Sequence, residues 1–221
     1  MSPFLSVLEV AGLCAAGAAA LALAGSVAYL AFFLPFSVRS MRLLPAEART
    51  SVDGVETIDD AVRACLSSGL TGVDLVAYAQ SLACRKMRYS RRNPWDSWDQ
   101  CFERGQGYCV QKGMALKRIY DRLGIDSVPV QALRCSFPAE FVHGVREPAS
   151  ISGHLWLRVK VDGAVYDVCP GSFSNRPGMV HFKILSPVRR VPAWTIPVLH
   201  VFSAAENVRR DWKNLFPGTS R

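Results

Sequence analysis

Metal-ligand spacing is missing from this sequence. Its seven cysteines and four histidines include no C-x2–4-C or H-x3–5-H pair, the close spacing that zinc ligands usually show. Cys101 and Cys109 stand eight positions apart, so no metal site is expected, and no cofactor motif is present. Charge is absent from Val10 to Val38, between Glu9 and Arg39, and basic residues are absent from the first nine positions. The first absence marks a candidate membrane span, since roughly 20 apolar residues cross a bilayer core. The second argues against a cleaved signal peptide, which needs a positive n-region. Residues 1–40 are therefore expected to form an uncleaved anchor, with the span at about 10–36. Arg39, Arg42 and Arg49 follow it, and the positive-inside rule then puts the C-terminal domain of a single-pass protein in the cytoplasm. The run "AGLCAAGAAALALAG" allows close helix packing in a bilayer, which makes helix-mediated self-association an expectation.

The chain carries a net +8, and every basic side chain lies after position 38. A positive domain tethered to an anionic leaflet gains affinity for that surface. The densest basic run, "CRKMRYSRR", has one aromatic residue and matches no nucleic-acid module, so no nucleic-acid partner is expected. The six cysteines outside the span have no patterned spacing, as free thiols in a reducing compartment would, with three disulfides in an exported domain as the alternative.

Residues 41–56 read as a linker, 57–185 as the main domain, and 186–221 as an extension with a surface helix over "SAAENVRRDWKNLF". "TIDDAVRACL" and "TGVDLVAYAQSLACRKM" each start with Thr followed three residues later by Asp, an approximate capping box that predicts two helices. "YSRRNPWDSWDQCFERGQG" reads as a loop-rich connection. A helix then runs from Cys109 to a cap at Gly124. "IDSVPVQAL" reads as a strand that Pro129 pushes toward an edge or a bulge. "HLWLRVKVDGAVYDV" reads as a hairpin around Asp162-Gly163. Helices followed by an antiparallel sheet predict an α+β domain.

At 100° per residue, Cys109, Gly113, Leu116, Ile119, Tyr120 and Leu123 share one helix face, opposite Gln111, Arg118, Asp121 and Arg122. Cys109 thus faces inward at the first turn. Unpaired N–H groups there carry partial positive charge and lower a thiol's pKa. Gly105 and Gly107 leave the preceding backbone bare, which would let a substrate approach. A nucleophilic thiol needs a base and a group that orients the base. His154 opens a strongly alternating strand, while His143, His181 and His200 have simpler explanations in a loop, a turn and an apolar run. Asp167 is the only carboxylate on the return strand, on the same face as His154. A two-residue turn makes Cys169 the nearer neighbour of His154; a four-residue turn brings Asp167 diagonally across from it.

"GYCVQKGMALKRIYDRLGIDSVPV" resembles the core of transglutaminase-like proteins of the papain-like cysteine fold. "HLWLRVKVDGAVYDVCPG" is similar to their His-x-Trp hairpin, and "AYAQSLACRKMRYS" to the helix and tyrosine that precede their cysteine. The likeness spans roughly residues 57–175 and marks a bacterial, membrane-anchored member: Cys-bearing helix packed on an antiparallel sheet, behind one transmembrane helix. It implies Cys109 as nucleophile, His154 as general base and Asp167 as orienter. The family's usual Asp-Pro is here Asp167-Val168-Cys169-Pro170, so Cys169 can be aligned with the acid instead. Asp167 is preferred because a carboxylate stabilises an imidazolium and a thiol does so poorly. The backbone N–H of Cys109 is one oxyanion donor; Gln106, Gln100 and Trp98 are candidates for the second. Trp156 and Cys169 are candidates to line the substrate cleft.

The expected chemistry is acyl transfer on a peptide or protein substrate through a thioester at Cys109, with hydrolysis preferred, as in a protease or amidase. It is similar to the Cys-helix and His-x-Trp arrangement of proteins that remove leaders from lasso peptides, an analogy of fold rather than a derivation. A crosslinking acyltransferase and a non-catalytic, membrane-tethered binding module are the alternatives.

Overall fold

The computed structural model describes residues 10–24, 52–91, 93–142 and 145–215. A first helix, α1, covers residues 10–24. The domain proper follows as α2 (Ile58–Ser67), α3 (Gly72–Lys86), β1 (Arg88–Tyr89), α4 (Trp98–Arg104), β2 (Gln106–Gly107) and α5 (Cys109–Arg122). The second half holds β3 (Asp126–Phe137), β4 (Glu140–Val142), β5 (Val145–Glu147), β6 (Ser150–Val161), β7 (Ala164–Val168), β8 (Lys183–Ile184), β9 (Arg189–Arg190) and α6 (Ile196–Leu215). The result is α+β with a curled antiparallel sheet.

The membrane-anchor expectation is overturned. Among the described residues no helix is long and apolar enough to cross a membrane. The described part of α1, residues 10–24, reaches about 22 Å at ~1.5 Å per residue, short of the ~30 Å hydrocarbon layer. The rest of the expected span and Arg39, Arg42 and Arg49 lie outside the described residues. The fold class therefore keeps its α+β domain and loses its transmembrane helix. Single-pass placement with a cytoplasmic domain falls with it. The membrane partner and the self-association rested on the same helix, and nothing among the described residues carries them.

Local sequence signals explain the helix starts. Thr57 accepts from the backbone N–H of Asp60, whose carboxylate accepts from the N–H of Thr57, a reciprocal capping box. Thr71 opens α3 without a side-chain cap. α4 lies inside the stretch read as a loop, and Ser97 with Gln100 forms a second capping box there. Gly105 ends α4 at φ 71°, the left-handed turn that glycine tolerates best.

β6 pairs with β7 on one side and with β3 on the other, and the far edge of β3 takes β8 and β9. Pro129 sits within the β3–β6 pairing, opposite Leu157. The bulge falls later, between Ala132 and Cys135. Leu157 and Val159 point to a core shared with α2, α3 and α5, where Leu116, Ile119 and Tyr120 are fully buried. Trp156 points the other way, into a core with Val130, Cys169 and Phe182. Both faces of β6 are thus covered at its middle, which fixes its side chains from two directions. The extension beyond residue 185 is part of this packing: Val191 and Ile196 bury against Tyr108 and Leu155. The last helix starts at Ile196, earlier than the tail pattern alone indicates. His200 accepts or donates at Nδ1 with the Tyr108 hydroxyl at 2.7 Å.

Candidate active site

Cys109 begins α5, behind the short parallel pairing of β1 with β2. That pairing fixes the two glycines ahead of it. A Cβ at Gly107 would stand 3.0 Å from Gln111 Cβ and 3.1 Å from Met87 Cε, so glycine is needed there for packing. Gly105 is a helix cap. Neither lines the cavity at Cys109, so the bare backbone serves the fold and not substrate approach. Gly113 lets α5 lie close on β6, since a Cβ there would meet Leu155 Cδ2 at 2.8 Å. One turn earlier stands Cys109, whose thiolate the backbone N–H of Leu155, the residue next to His154, would favour.

Cys109, His154 and Cys169 line one cavity of about 170 Å³, with Lys112, Glu140 and His181. Sequence reasoning placed the sulfur and the imidazole on distant segments, and the fold brings both to this wall. It does not bring Asp167. The hairpin closes through Asp162 and Gly163, both at positive φ (51° and 75°), as the tight primed turns of hairpins require. Arg158 then stands opposite Asp167. The Asp167 carboxylate accepts from Trp156 Nε1 and Arg158 Nε, each at 2.9 Å. His154 Nε2 instead lies 3.3 Å from Cys169 Sγ. Glycine at 171 makes room for that sulfur: a Cβ would sit 3.1 Å from it.

The oxyanion candidates do not gather here. Gln100 caps α4, Gln106 is buried in β2, and Trp98 packs edge-on against His200 at 4.7 Å; none lines the cavity. The backbone N–H groups of Cys109 and Val110 do favour negative charge on the sulfur. Trp156 is fully buried behind His154, stacked at 6.0 Å and 16°, so it supports the imidazole and does not line the cleft. The helical wheel puts Gln111 on the outer face, yet it is fully buried and donates to the carbonyls of Asn93 and Asp96. It also accepts from the N–H of Tyr108, tying the preceding loop to the first turn of α5. His181 also lines the site, with Nδ1 3.1 Å from Asn175 Oδ1 and Nε2 3.8 Å from the Glu140 carboxylate. The side chain of His143 lies outside the described residues. Among the described residues, no three His, Cys, Asp or Glu side chains group to hold a metal ion.

Electrostatics reverse one expectation. The helix end does favour a Cys109 thiolate, through its own and the Val110 N–H, and Leu155 N–H and Arg91 act in the same direction. Burial outweighs them and raises the thiol's pKa. The magnitudes agree: a helix end contributes about 0.3–1 kcal/mol, under about one pKa unit, whereas burial shifts pKa by up to about 3–5. Burial also lowers His154 to about 3, helped by the charges of His181 and Lys112. Cys169 is pushed up to about 12 by burial. The resting site therefore holds a neutral thiol, a neutral imidazole and a second neutral thiol.

A carboxylate at position 169 would change this balance. Cys169→Asp places an anion beside His154 Nε2, which raises the imidazole pKa and stabilises a thiolate at Cys109. Alkylation of Cys109 at pH 7 is expected to accelerate by about tenfold, one pKa unit of thiol stabilisation. An unchanged alkylation rate in folded Cys169→Asp protein would show that position 169 does not control the imidazole.

No family model matches the sequence, and no curated protein matches it.

Proposed function

We propose that the protein is a thiol-dependent acyl-transfer enzyme, most simply an amidase or peptidase acting by hydrolysis. One observation carries this reading: the α5 thiol and the β6 imidazole line the same cavity. With Nε2 engaged by Cys169, Nδ1 is the atom that takes the thiol proton. This requires the Nε2–H tautomer, which donates to the Cys169 sulfur.

The steps balance as follows. The Cys109 sulfur bonds to the substrate carbonyl carbon as its proton moves to His154, and the carbonyl π pair becomes an oxyanion. The N–H groups of Cys109 and Val110 favour that negative charge. Collapse of the intermediate breaks the C–N bond, and the amine leaves with the proton from His154. Water then attacks the thioester with its proton passing to His154. The acid departs, and the proton returns to Cys109. Because both partners rest neutral, proton transfer accompanies attack and no thiolate–imidazolium pair precedes it.

A thioester-forming carbonyl probe, followed by peptide mapping, tests the assignment. Modification at Cys109 is expected; modification at any other cysteine would reject the site. Simple alkylation behaves differently. Because burial holds the Cys109 proton, the iodoacetamide rate should keep rising as pH passes 9, where an ordinary thiol has begun to level off. A plateau at neutral pH would show a thiolate the site does not hold at rest.

A further inference from the structure

Lys112 stands one helical turn after Cys109, and its side chain is almost wholly buried, with 2% of its surface exposed. Among the described residues its Nζ has no hydrogen-bond partner, although it lines the cavity that holds Cys109, His154 and Cys169. Its charge acts on the buried Cys84 thiol, on Cys169, Glu140 and Cys109, and on both His154 and His181. Glu140 is the acidic residue of the cavity lining, and it is engaged elsewhere, by Ser172, Ser174 and His181. Arg91 adds a second positive group beside Cys109.

An unpaired amine costs several kcal/mol to bury, and proteins rarely retain one without a use. A helix built for packing alone would carry an apolar side chain here. The missing partner is therefore an anion that arrives with the substrate. We propose that the acyl substrate carries a carboxylate, close to its scissile carbonyl, which pairs with Lys112. This inference rests on the acyl-transfer reading and names its substrate class. Burial pushes the Lys112 pKa down, and an incoming carboxylate pushes it back up, so binding and protonation reinforce each other. Two sources supply such a group: the free C-terminal carboxylate on the leaving side, or an acidic side chain on the acyl side.

Two pairs of small acyl donors distinguish these sources on the full chain. For the leaving side, the acetylglycine thioester of thioglycolate is compared with that of methyl thioglycolate. For the acyl side, the succinyl thioester of methyl thioglycolate is compared with its methyl-succinyl twin. In each reaction the Cys109 thiol displaces the donor thiol, so mass spectrometry reads the acylation rate directly. One carboxylate donor is expected to react about tenfold faster than its neutral twin, a difference of ~1.4 kcal/mol. Lys112→Met and Lys112→Gln should collapse that ratio to near one, and Lys112→Arg should keep part of it. Lys112→Met should also melt at a higher temperature than the parent, since it removes a buried amine without a partner. A wild-type ratio near one in both pairs would overturn the carboxylate, and so would a ratio that survives in Lys112→Met and Lys112→Gln. Failure of every donor to acylate Cys109 would instead overturn the acyl-transfer reading beneath it.

Discussion

Replacing His154 with alanine should slow acylation of Cys109 by about 10²–10⁴-fold, the usual contribution of a positioned general base. The resting charges set the size of this effect. Burial keeps the Cys109 proton in place, so without an acceptor the carbonyl must be attacked by a poor nucleophile. The imidazole, with its pKa lowered to about 3, stays unprotonated from pH 5 to 8 but is a weak base there, so the low end of the fold-change, about 10²-fold, is expected. A single-turnover assay with the acetylglycine thioester of methyl thioglycolate measures it, with circular dichroism to confirm folding. Cys109→Ala should give no covalent adduct in the same assay. A rate for His154→Ala within about threefold of wild type would remove the imidazole from the chemistry, because 10²-fold is the low end for such a base.

Truncating Trp156 to alanine should cost about 3–5 kcal/mol of stability, the range for large aromatic side chains in a core. Trp156 is fully buried and meets Phe182 at 5.3 Å and His154 at 6.0 Å. It also gives the Asp167 carboxylate one of its two donors. Trp156→Phe keeps most of the volume and loses the hydrogen bond, so it should cost closer to ~1–2 kcal/mol. Urea unfolding measures both, and similar losses in the two variants would mean that the indole N–H dominates over packing. The alanine variant should also loosen His154 and slow acylation, although Trp156 touches no reacting atom.

The same residues show what a sequence can reveal. The start and end of α5 were legible because Cys109 follows two glycines and a left-handed Gly124 follows the last apolar residue. The Thr57–Asp60 box was legible for a similar reason. α4 was hidden by the tryptophans and proline around it, although its Ser97–Gln100 box was there to be read. The burial of Gln111 and Lys112 was not legible. A helical wheel assigns one inner face, whereas the loop around Asn93 and the cavity wall cover α5 from further sides. Strand parity correctly put His154, Asp167 and Cys169 on one face, since side chains alternate with period two. Which of the latter two meets the imidazole depends on the turn, and the turn depends on Asp162 adopting positive φ, an uncommon state for a non-glycine residue. The thiol's raised pKa was likewise beyond reach, because helix-end polarity is written in order along the chain and desolvation is set by distant segments.

The turn at Asp162 and Gly163 also anchors a helix. An Asp162 carboxylate oxygen accepts from the backbone N–H of Val73 at 3.1 Å, and a Cβ at Gly72 would collide with it at 2.4 Å. The ribbon is thereby clamped at its tip, far from the imidazole. Sliding one strand past the other by a single pleat repeat would exchange a sulfur neighbour for an oxygen one, with every face preserved. The clamp acts like the stop on a vernier scale: it selects one of two graduations that parity alone leaves equivalent. Chemistry at the cavity is in this sense dialled from the opposite end of the hairpin.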